Sequence, residues 1–302
     1  MNLILLVSAS LVSATTLIYP ALGETFTELS GVYNIGLEGI MLISASTSFV
    51  ATAYSGSVIA GLVIGIVTGM LAGFIQGIFA VNFRADQIVF GLGIILLGPF
   101  LSPVLKDTFA LTTNQVPTFP LLDATNLPYP LSVLLNQNAL TFASIGLVFL
   151  LWYALFKTKF GLAIRAVGED PRVAASVGIN VGRARYLCSI LGSAIAAVGG
   201  VFVVLGLTGS WAGDVTAGRG FIAIAMVRVG LYRPVPILIA CLLFGFVDAA
   251  QLTLQVSASG FPHQFLQMAP YLMGIVALII SGRFKVFGGP ASLGRPYEKE
   301  QR

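Results

Sequence analysis

The sequence predicts an all-α protein that crosses a membrane many times. Of its 302 residues, 57% are apolar and only 9% are charged, whereas a soluble domain carries about 25% charge. Mean hydropathy is +0.94, and the apolar residues form repeated runs close to the roughly 20 residues that a helix needs to cross a bilayer. A single membrane domain over residues 1–302 therefore accounts for the chain, without a separate soluble domain.

Eight apolar runs are long enough to span the bilayer, and a ninth is too short. The short run, residues 218–230, would reach only about 20 Å as a helix. We therefore expect about nine membrane-embedded helices, with short or broken central helices and an arrangement resembling an inverted repeat. The eight predicted spans are residues 3–22, 34–54, 57–81, 87–104, 139–156, 186–207, 234–256 and 265–281.

The basic residues predict the orientation. The loop 157–185 holds six of the sixteen Lys and Arg residues, and a basic tail follows at 283–302. Both should be cytoplasmic, because loops that stay inside carry the excess of positive charge. The loop 105–138 and the N-terminus are then external, in a prokaryotic-type cell membrane. The external loop 105–138 has one basic residue, Lys106, and His263 lies in another external turn. The basic residues of the tail are Arg283, Lys285, Arg295, Lys299 and Arg302.

A short helix is predicted inside the cytoplasmic loop. Asp170 is suited to the N-cap, Pro171 to the first helical position and Gly178 to the position just past the end. So short a helix is marginal in water by itself. We therefore expect another protein to contact it outside the bilayer.

Glycine recurs every four residues through the third span. Positions without side chains let a neighbouring helix come close. Because a four-residue step winds gradually around a helix, the series should follow a right-handed crossing or serve two neighbours. Tight packing is the main interpretation, and lining of a transport path is the alternative. The series is Gly61, Gly65, Gly69, Gly73 and Gly77.

Two glycine-rich segments at membrane depth are candidates for a transport path. One covers residues 31–39 and places Asn34 and Glu38 four residues apart on one helical face. The other opens the short run 218–230 and contains Arg219. Interrupted helices of this kind mark binding regions in transporters. Glu38 could equally pair with a backbone amide or an Arg, and Arg219 could be an interfacial anchor.

Polar residues in two further spans extend this candidate path. Asp248 lies within the eighth predicted membrane segment, with Gln251 on the same face. A charge at that depth should face protein or water, so these residues either form an interior network or line the path. Asp86 is suited to cap the fourth span, and Gln87 and Phe90 follow it.

The sequence lacks the residues of an enzyme site. It has no P-loop for nucleotide phosphates, a single histidine, and two widely separated cysteines, Cys188 and Cys241, which should be small buried side chains. Neither a cofactor, a metal nor catalysis is therefore expected. The basic residues lie between spans, which argues against nucleic acid. Energy for pumping must come from an ion gradient or from an ATPase on another polypeptide.

Five segments together resemble the permeases of ABC importers, in the branch shared by branched-chain amino acid and simple-sugar permeases and especially its nucleoside-uptake members. These segments are residues 30–45, 84–98, 160–180, 218–230 and 270–280. The resemblance implies that the cytoplasmic loop forms a coupling helix, residues 170–177, which docks on an ATPase. The residues implied in coupling are Arg165, Gly168, Glu169, Asp170, Pro171, Arg172, Ala175 and Gly178.

The same resemblance implies the partners and the cargo. Such a permease pairs with a second permease (the same chain or a similar one), two cytoplasmic ATPase subunits and an extracytoplasmic binding lipoprotein. We predict a nucleoside or another ribose-bearing solute, with Phe90 and Phe221 able to stack on a base. Simple sugars and branched-chain amino acids are alternatives within this class, and an ion-gradient-driven carrier is the alternative from another class.

Overall fold

The computed structural model describes residues 3–109, 115–122, 128–129, 131–211, 213–257, 263–283 and 289–297. Within these ranges the regular secondary structure is helical, apart from two isolated antiparallel bridges, Gln115 with Ser210 and Leu121 with Asn138. The helices are α1 Leu3–Glu28, α2 Leu37–Ser55, α3 Val58–Gly77, α4 Gln87–Thr108, α5 Leu131–Leu135, α6 Ala139–Lys157, α7 Lys159–Glu169, α8 Pro171–Ser176, α9 Val181–Val201, α10 Arg219–Val229, α11 Pro234–Ser257, α12 His263–Gln267 and α13 Ala269–Arg283.

Eight helical stretches in the described part of the chain are long and apolar enough to cross a membrane. Two of them continue into π-helical turns, α3 through Ile78–Asn82 and α9 through Phe202–Thr208. The all-α polytopic class is thus confirmed. The inverted repeat and the orientation of the termini stay predictions. Lys285, Lys299 and Arg302 lie outside the described residues, as do the side chains of Lys106 and His263.

The bundle has two ends, which we name by their contents. The coupling end holds α7 and α8, the last turn of α1 and the turn between α10 and α11. Gly168 of α7 packs on Leu29, which follows α1, and on Pro290. The neighbouring Gly289 packs on Tyr232 in the turn between α10 and α11. The opposite end holds α5 and residues 115–122, where Val116 bonds to Gly209. Because α9 finishes at the opposite end and α11 starts at the coupling end, the segment that contains α10 also runs across the bundle.

The predicted elements differ most from the structure in three places. α1 continues to Glu28, six residues past the predicted end, because Glu24 and Glu28 are buried rather than exposed. α9 begins at Val181, so Arg185 belongs to a spanning helix and not to the loop. The loop itself contains two helices, α7 and α8, where the sequence predicted only one.

The core is centred on α1, which packs most extensively against α9 and α11. Every residue from Ala14 to Glu28 is buried, so the first helix is a central and not a peripheral element. Cys188 and Cys241 are fully buried in the same core as free thiols, which confirms the interpretation of both as small apolar side chains.

The glycine series of α3 lies against two neighbouring helices. A Cβ at Gly61 would lie 2.0 Å from Thr52 Oγ1 of α2, while one at Gly69 would lie 2.4 Å from Ala197 Cβ of α9. Gly65 and Gly73 also face α9, and Gly77 faces the Tyr186 ring on that helix. Any side chain at these positions would force the helices apart, since real Cβ contacts do not approach so closely.

Candidate translocation path and coupling surface

The connection between α1 and α2 is an irregular segment held by side chains of three helices. The Asn34 N–H donates to Glu24 Oε1 at 3.0 Å, and the Tyr33 N–H donates to Gln87 Oε1 at 2.7 Å. Gln76 Nε2 donates to the Tyr33 carbonyl at 3.4 Å. Non-helical backbone at membrane depth is tolerated only when protein or water satisfies its polar groups. Polar side chains from α1, α3 and α4 therefore fix this break.

Two of the predicted path residues, Asn34 and Gln87, meet at this break, and a third, Phe90, lies three residues further along α4. Asn34 and Gln87 are buried, and neither Asn34 Nδ2 nor Gln87 Nε2 has a hydrogen-bond partner among the described residues. Phe90 stacks on Phe79, with ring centroids 4.5 Å apart. The break thus carries two amide N–H donors to which a polar solute or water could bind. It lies toward the coupling end, next to the last turn of α1.

Glu38 joins the start of α2 to the start of α10. Its Oε1 accepts from Thr216 Oγ1 at 2.6 Å and from the Gly218 N–H at 2.9 Å, while its Oε2 accepts from the Gly220 N–H at 2.5 Å. Gly218 has φ +76 and supplies no side-chain cap. A carboxylate from another helix therefore satisfies the free amides at the start of α10. The sequence left open whether Glu38 pairs with a backbone amide, pairs with an Arg or serves transport. In the structure it pairs with backbone amides.

A second group of predicted residues lines a cavity of about 440 Å³ nearer the opposite end. Arg219, Asp248 and Gln251 face it together, and Tyr271 contributes to its wall. The Ser13 hydroxyl of α1 donates to Asp248 Oδ2, and Arg219 Nη1 donates to the Thr216 carbonyl at 3.3 Å. The cavity combines one cation, one carboxylate and amide groups. It therefore suits a polar solute with both donors and acceptors.

The structure separates some predicted path residues and reveals others. Phe221 is 46% exposed and does not line that cavity, so base stacking in the cavity cannot involve it as placed here. Tyr271, whose hydroxyl donates to the Ala217 carbonyl at 3.2 Å, was not predicted. The only feature of the sequence that pointed to Tyr271 was its position near the start of the last predicted span.

Two buried carboxyl groups near the break were also missed. Glu24 and Glu28 of α1 are fully buried, and no well-formed hydrogen bond from the described residues reaches Glu24 Oε2 or either carboxylate oxygen of Glu28. Arg228 and Tyr232 are electrostatic neighbours of Glu28. The Tyr232 hydroxyl is uncharged at neutral pH even at its ordinary pKa, and burial raises that pKa further. The signal in the sequence was the four-residue spacing of two acids after an apolar run.

The helices α7 and α8, together called the hairpin here, lie at the coupling end with only Asp170 between them. Asp170 Oδ1 accepts from the N–H groups of Arg172 at 2.9 Å and Val173 at 3.1 Å, so α8 starts with the predicted cap. Gly178, with φ +89, follows its end. Val173 and Val177 are 59% and 71% exposed, which leaves apolar side chains on the outer surface of the hairpin.

The residues implied in coupling divide into an outer and an inner set. Gly168 is buried in the inner set, where a Cβ would lie 2.2 Å from the carbonyl oxygen of Leu29, the residue that follows α1. Arg165 is half-buried, with its guanidinium 4.9 Å from the Phe156 ring centroid. Pro171 and Ala175 are half-buried as well. The exposed outer set consists of Glu169, Asp170, Arg172 and Gly178.

Comparison with known proteins identifies a family to which this chain is similar. The family model described as "Branched-chain amino acid transport system / permease component" matches residues 6–281. The chain is 33% identical to the nucleoside ABC transporter permease protein NupC of Lactococcus lactis subsp. cremoris over 292 residues, which is 91% of this chain and 92% of the relative.

Two more relatives show the same level of identity. The guanosine ABC transporter permease protein NupQ of Bacillus subtilis is 33% identical over 99% of this chain and 98% of its own. The putative glucose ABC transporter permease protein TsgC13 of Haloferax volcanii is 33% identical over 83% of this chain and 78% of its own. No solved structure matches the chain. The chain therefore belongs to the branched-chain amino acid transport system permease family, as an ABC importer permease.

Proposed function

We propose that this chain forms the path by which a nucleoside, or a related ribose-bearing solute, crosses the membrane, and that separate ATPase subunits drive it. The carrying observation is the α7–α8 hairpin, which presents apolar side chains outside the membrane and packs directly on α1. Two relatives that are named nucleoside or guanosine permeases support the cargo, because each is 33% identical over more than nine-tenths of both chains.

The hairpin has the properties of a docking element. Val173 and Val177 are exposed on α8, with Glu169 and Arg172 beside them as charged residues at the rim. An apolar centre with a polar rim is the usual anatomy of a protein interface. On the inner side, Gly168 lets α7 approach the Leu29 carbonyl. An ATPase that moves α8 would thereby displace the end of α1 beside the break.

The proposed path joins the cavity lined by Asp248 to the break lined by Asn34. Glu38 lies between the two, where it holds the start of α10. A solute entering from the opposite end would first meet Arg219, Asp248 and Gln251, and then the amides of Asn34 and Gln87. Polar groups in this order along the path suit an uncharged solute rich in hydroxyl and amide groups, such as a nucleoside.

A sugar is the second candidate within the same mechanism. The relative named a putative glucose permease is as similar in identity as the two nucleoside relatives, although it covers less of the chain. The hydroxyl groups of ribose are common to a nucleoside and a sugar, so the cavity itself accepts either. The base is what distinguishes them.

A gradient-driven carrier is the candidate from another class. The buried pair Glu24 and Glu28 favours it, because carboxyl groups within membrane segments often serve as proton or ion sites. This reading leaves the capped hairpin at the coupling end without a role. The family assignment also favours the ATP-driven class, and the energy source is the measurement that separates the two.

Partners follow from the family. We propose that two ATPase subunits bind the hairpins of two permease chains, one of them this chain, and that a binding lipoprotein delivers the solute from outside. Within the described ranges, α4 and α13 are the spanning helices with the smallest buried share. α4 carries the large exposed side chains Val89, Leu96 and Phe100, which makes its outer face a candidate contact for the second permease.

The test is uptake by vesicles that contain the complete complex, formed by this chain with the proposed ATPase, second permease and binding protein. We expect labelled nucleoside uptake that requires internal ATP, stops with orthovanadate and persists with an ionophore. Competition by unlabelled guanosine, glucose or leucine identifies the cargo class. Uptake that an ionophore abolishes and orthovanadate leaves intact would instead support the carrier.

A further inference from the structure

The C-terminal residues 289–297, here called the tail segment, fold back against the coupling end. Ser292 is buried and binds α7 twice. Its N–H donates to the Gly168 carbonyl at 3.0 Å, and its Oγ donates to the same oxygen at 2.6 Å. Gly168 lies two residues before the cap of α8, so this bond fixes the tail to the base of the hairpin.

The tail segment also binds the turn that leads from α1 into the break. The Gly294 N–H donates to the Gly31 carbonyl at 3.0 Å. Both glycines are in the left-handed region, with φ +86 at Gly31 and φ +73 at Gly294. A Cβ at Gly31 would lie 2.7 Å from Ser292 Oγ. The turn and the tail therefore fit together only with glycine at this position.

A buried arginine secures the tail segment from a third side. Arg185 of α9 is 1% exposed, and its Nη1 and Nη2 donate to the Arg295 carbonyl at 3.0 Å and to Ser292 Oγ at 3.4 Å. A buried charge is costly when its partners are removed. Further along, Tyr297 packs on the small cluster of Val167, Ala174 and Val181, which unites α7, α8 and α9.

We propose that the tail segment is a positioning element, which transmits movement of the α7–α8 hairpin to the α1–α2 break. The anchors to Gly168 and to Gly31 are only two residues apart, so they span at most about 7 Å of chain and leave almost no slack. A displacement of the hairpin therefore moves the turn beside the break. This role rests on the proposed function, because it presumes that an ATPase moves the hairpin.

The experiment compares three forms in the reconstituted complex with the full chain. One form ends at residue 288, one carries Ser292→Ala, and a control ends at residue 297 and so keeps every contact described above. ATP hydrolysis and solute uptake are measured on the same vesicles. We expect hydrolysis to continue in all forms, with solute moved per ATP unchanged in the control. That ratio should fall about fivefold in Ser292→Ala, as expected for loss of buried hydrogen bonds, and further in the form ending at 288.

An unchanged ratio in an assembled form ending at 288 would overturn the inference. If that form fails to assemble, Ser292→Ala and Arg185→Lys decide, with the exposed Arg183→Lys as the matched control on the same helix. Normal coupling in both would show that the tail only stabilises the fold. A full-chain complex without ATP-driven uptake is a distinct result, since it would overturn the proposed function and this inference with it.

Discussion

The carboxylate of Glu38 accepts a hydrogen bond from the Gly220 N–H at 2.5 Å, although the two residues are 182 positions apart in the chain. Gly220 has to be glycine for this, because a Cβ there would lie 2.6 Å from the Glu38 Cα. The start of α2 and the start of α10 are thus fixed to each other. One side chain couples the two irregular segments that border the proposed path.

Replacing Glu38 should therefore loosen α10. In Glu38→Gln, one carboxylate oxygen becomes an NH₂ group that faces N–H donors and cannot accept from them. We expect a loss of about 1–3 kcal/mol in unfolding free energy, the usual cost of an unsatisfied buried polar group, with uptake reduced at least tenfold. Thermal unfolding in detergent and vesicle uptake measure the two effects.

The control for Glu38 is Asp107→Asn, which changes an exposed carboxylate on α4 that the proposed path does not use. Both quantities should stay at the wild-type level in this control. A Glu38→Gln protein with normal stability and normal uptake would show that the cap on α10 has no importance for either.

The close contact between α3 and α9 gives a second prediction. Gly69→Leu should prevent stable assembly, because even a Cβ at Gly69 would lie 2.7 Å from the Ser193 carbonyl oxygen, and overpacking costs typically 1–3 kcal/mol or more. Size-exclusion chromatography of the purified complex measures the yield. Gly146→Leu is the matched control, since nothing lies within 4 Å of that position. Equal yields of both variants would contradict tight packing at α3.

Much of this architecture could be predicted from the sequence, because apolar run length reports directly on membrane spans. The caps at Asp86 and Asp170 could also be predicted, because each cap depends only on residues close in the chain. The end of α1 could not. Glu24 and Glu28 look like loop residues until their burial by distant helices is known.

The candidate path was only partly predictable for a similar reason. Asp248 and Arg219 were each identified by their charge within an apolar run, but their shared cavity depends on how α10 and α11 pack. The role of Glu38 depends on amides far along the chain, which no local pattern reports. The tail segment was predicted only as a source of positive charge. Its structural contacts instead use the Ser292 hydroxyl and three backbone groups, the N–H groups of Ser292 and Gly294 and the Arg295 carbonyl.

The outer surface of the hairpin gives a third prediction. Glu169→Arg and Val177→Asp should each abolish uptake while the protein still inserts, because both residues are exposed where an ATPase is proposed to dock. Gly168→Pro should have the same effect on uptake but also disturb folding, since Gly168 packs on Leu29. Co-purification of the ATPase with the permease measures docking directly. Substrate-stimulated ATPase activity at the normal level in Glu169→Arg and Val177→Asp would count against this surface.

The cavity lined by Arg219 and Asp248 gives the last prediction. Asp248→Asn keeps the shape of the side chain and removes its charge, and it retains an oxygen that can accept from Ser13. If the cavity binds the solute, this variant should raise the KM for uptake about tenfold, as expected for the loss of one charge-assisted hydrogen bond, with little change in stability. Phe221→Leu is the matched control, because Phe221 is exposed and lies outside this cavity.

The direction of the KM change separates binding from structure. A path-lining Asp248 contacts the solute, so its loss should weaken competition by nucleosides that retain their hydroxyl groups, and weaken it less for analogues that lack them. A purely structural Asp248 would lower the amount of assembled protein and leave KM unchanged, because the remaining molecules would have an intact site. Uptake kinetics normalised to the amount of assembled complex therefore decide whether the solute passes this cavity.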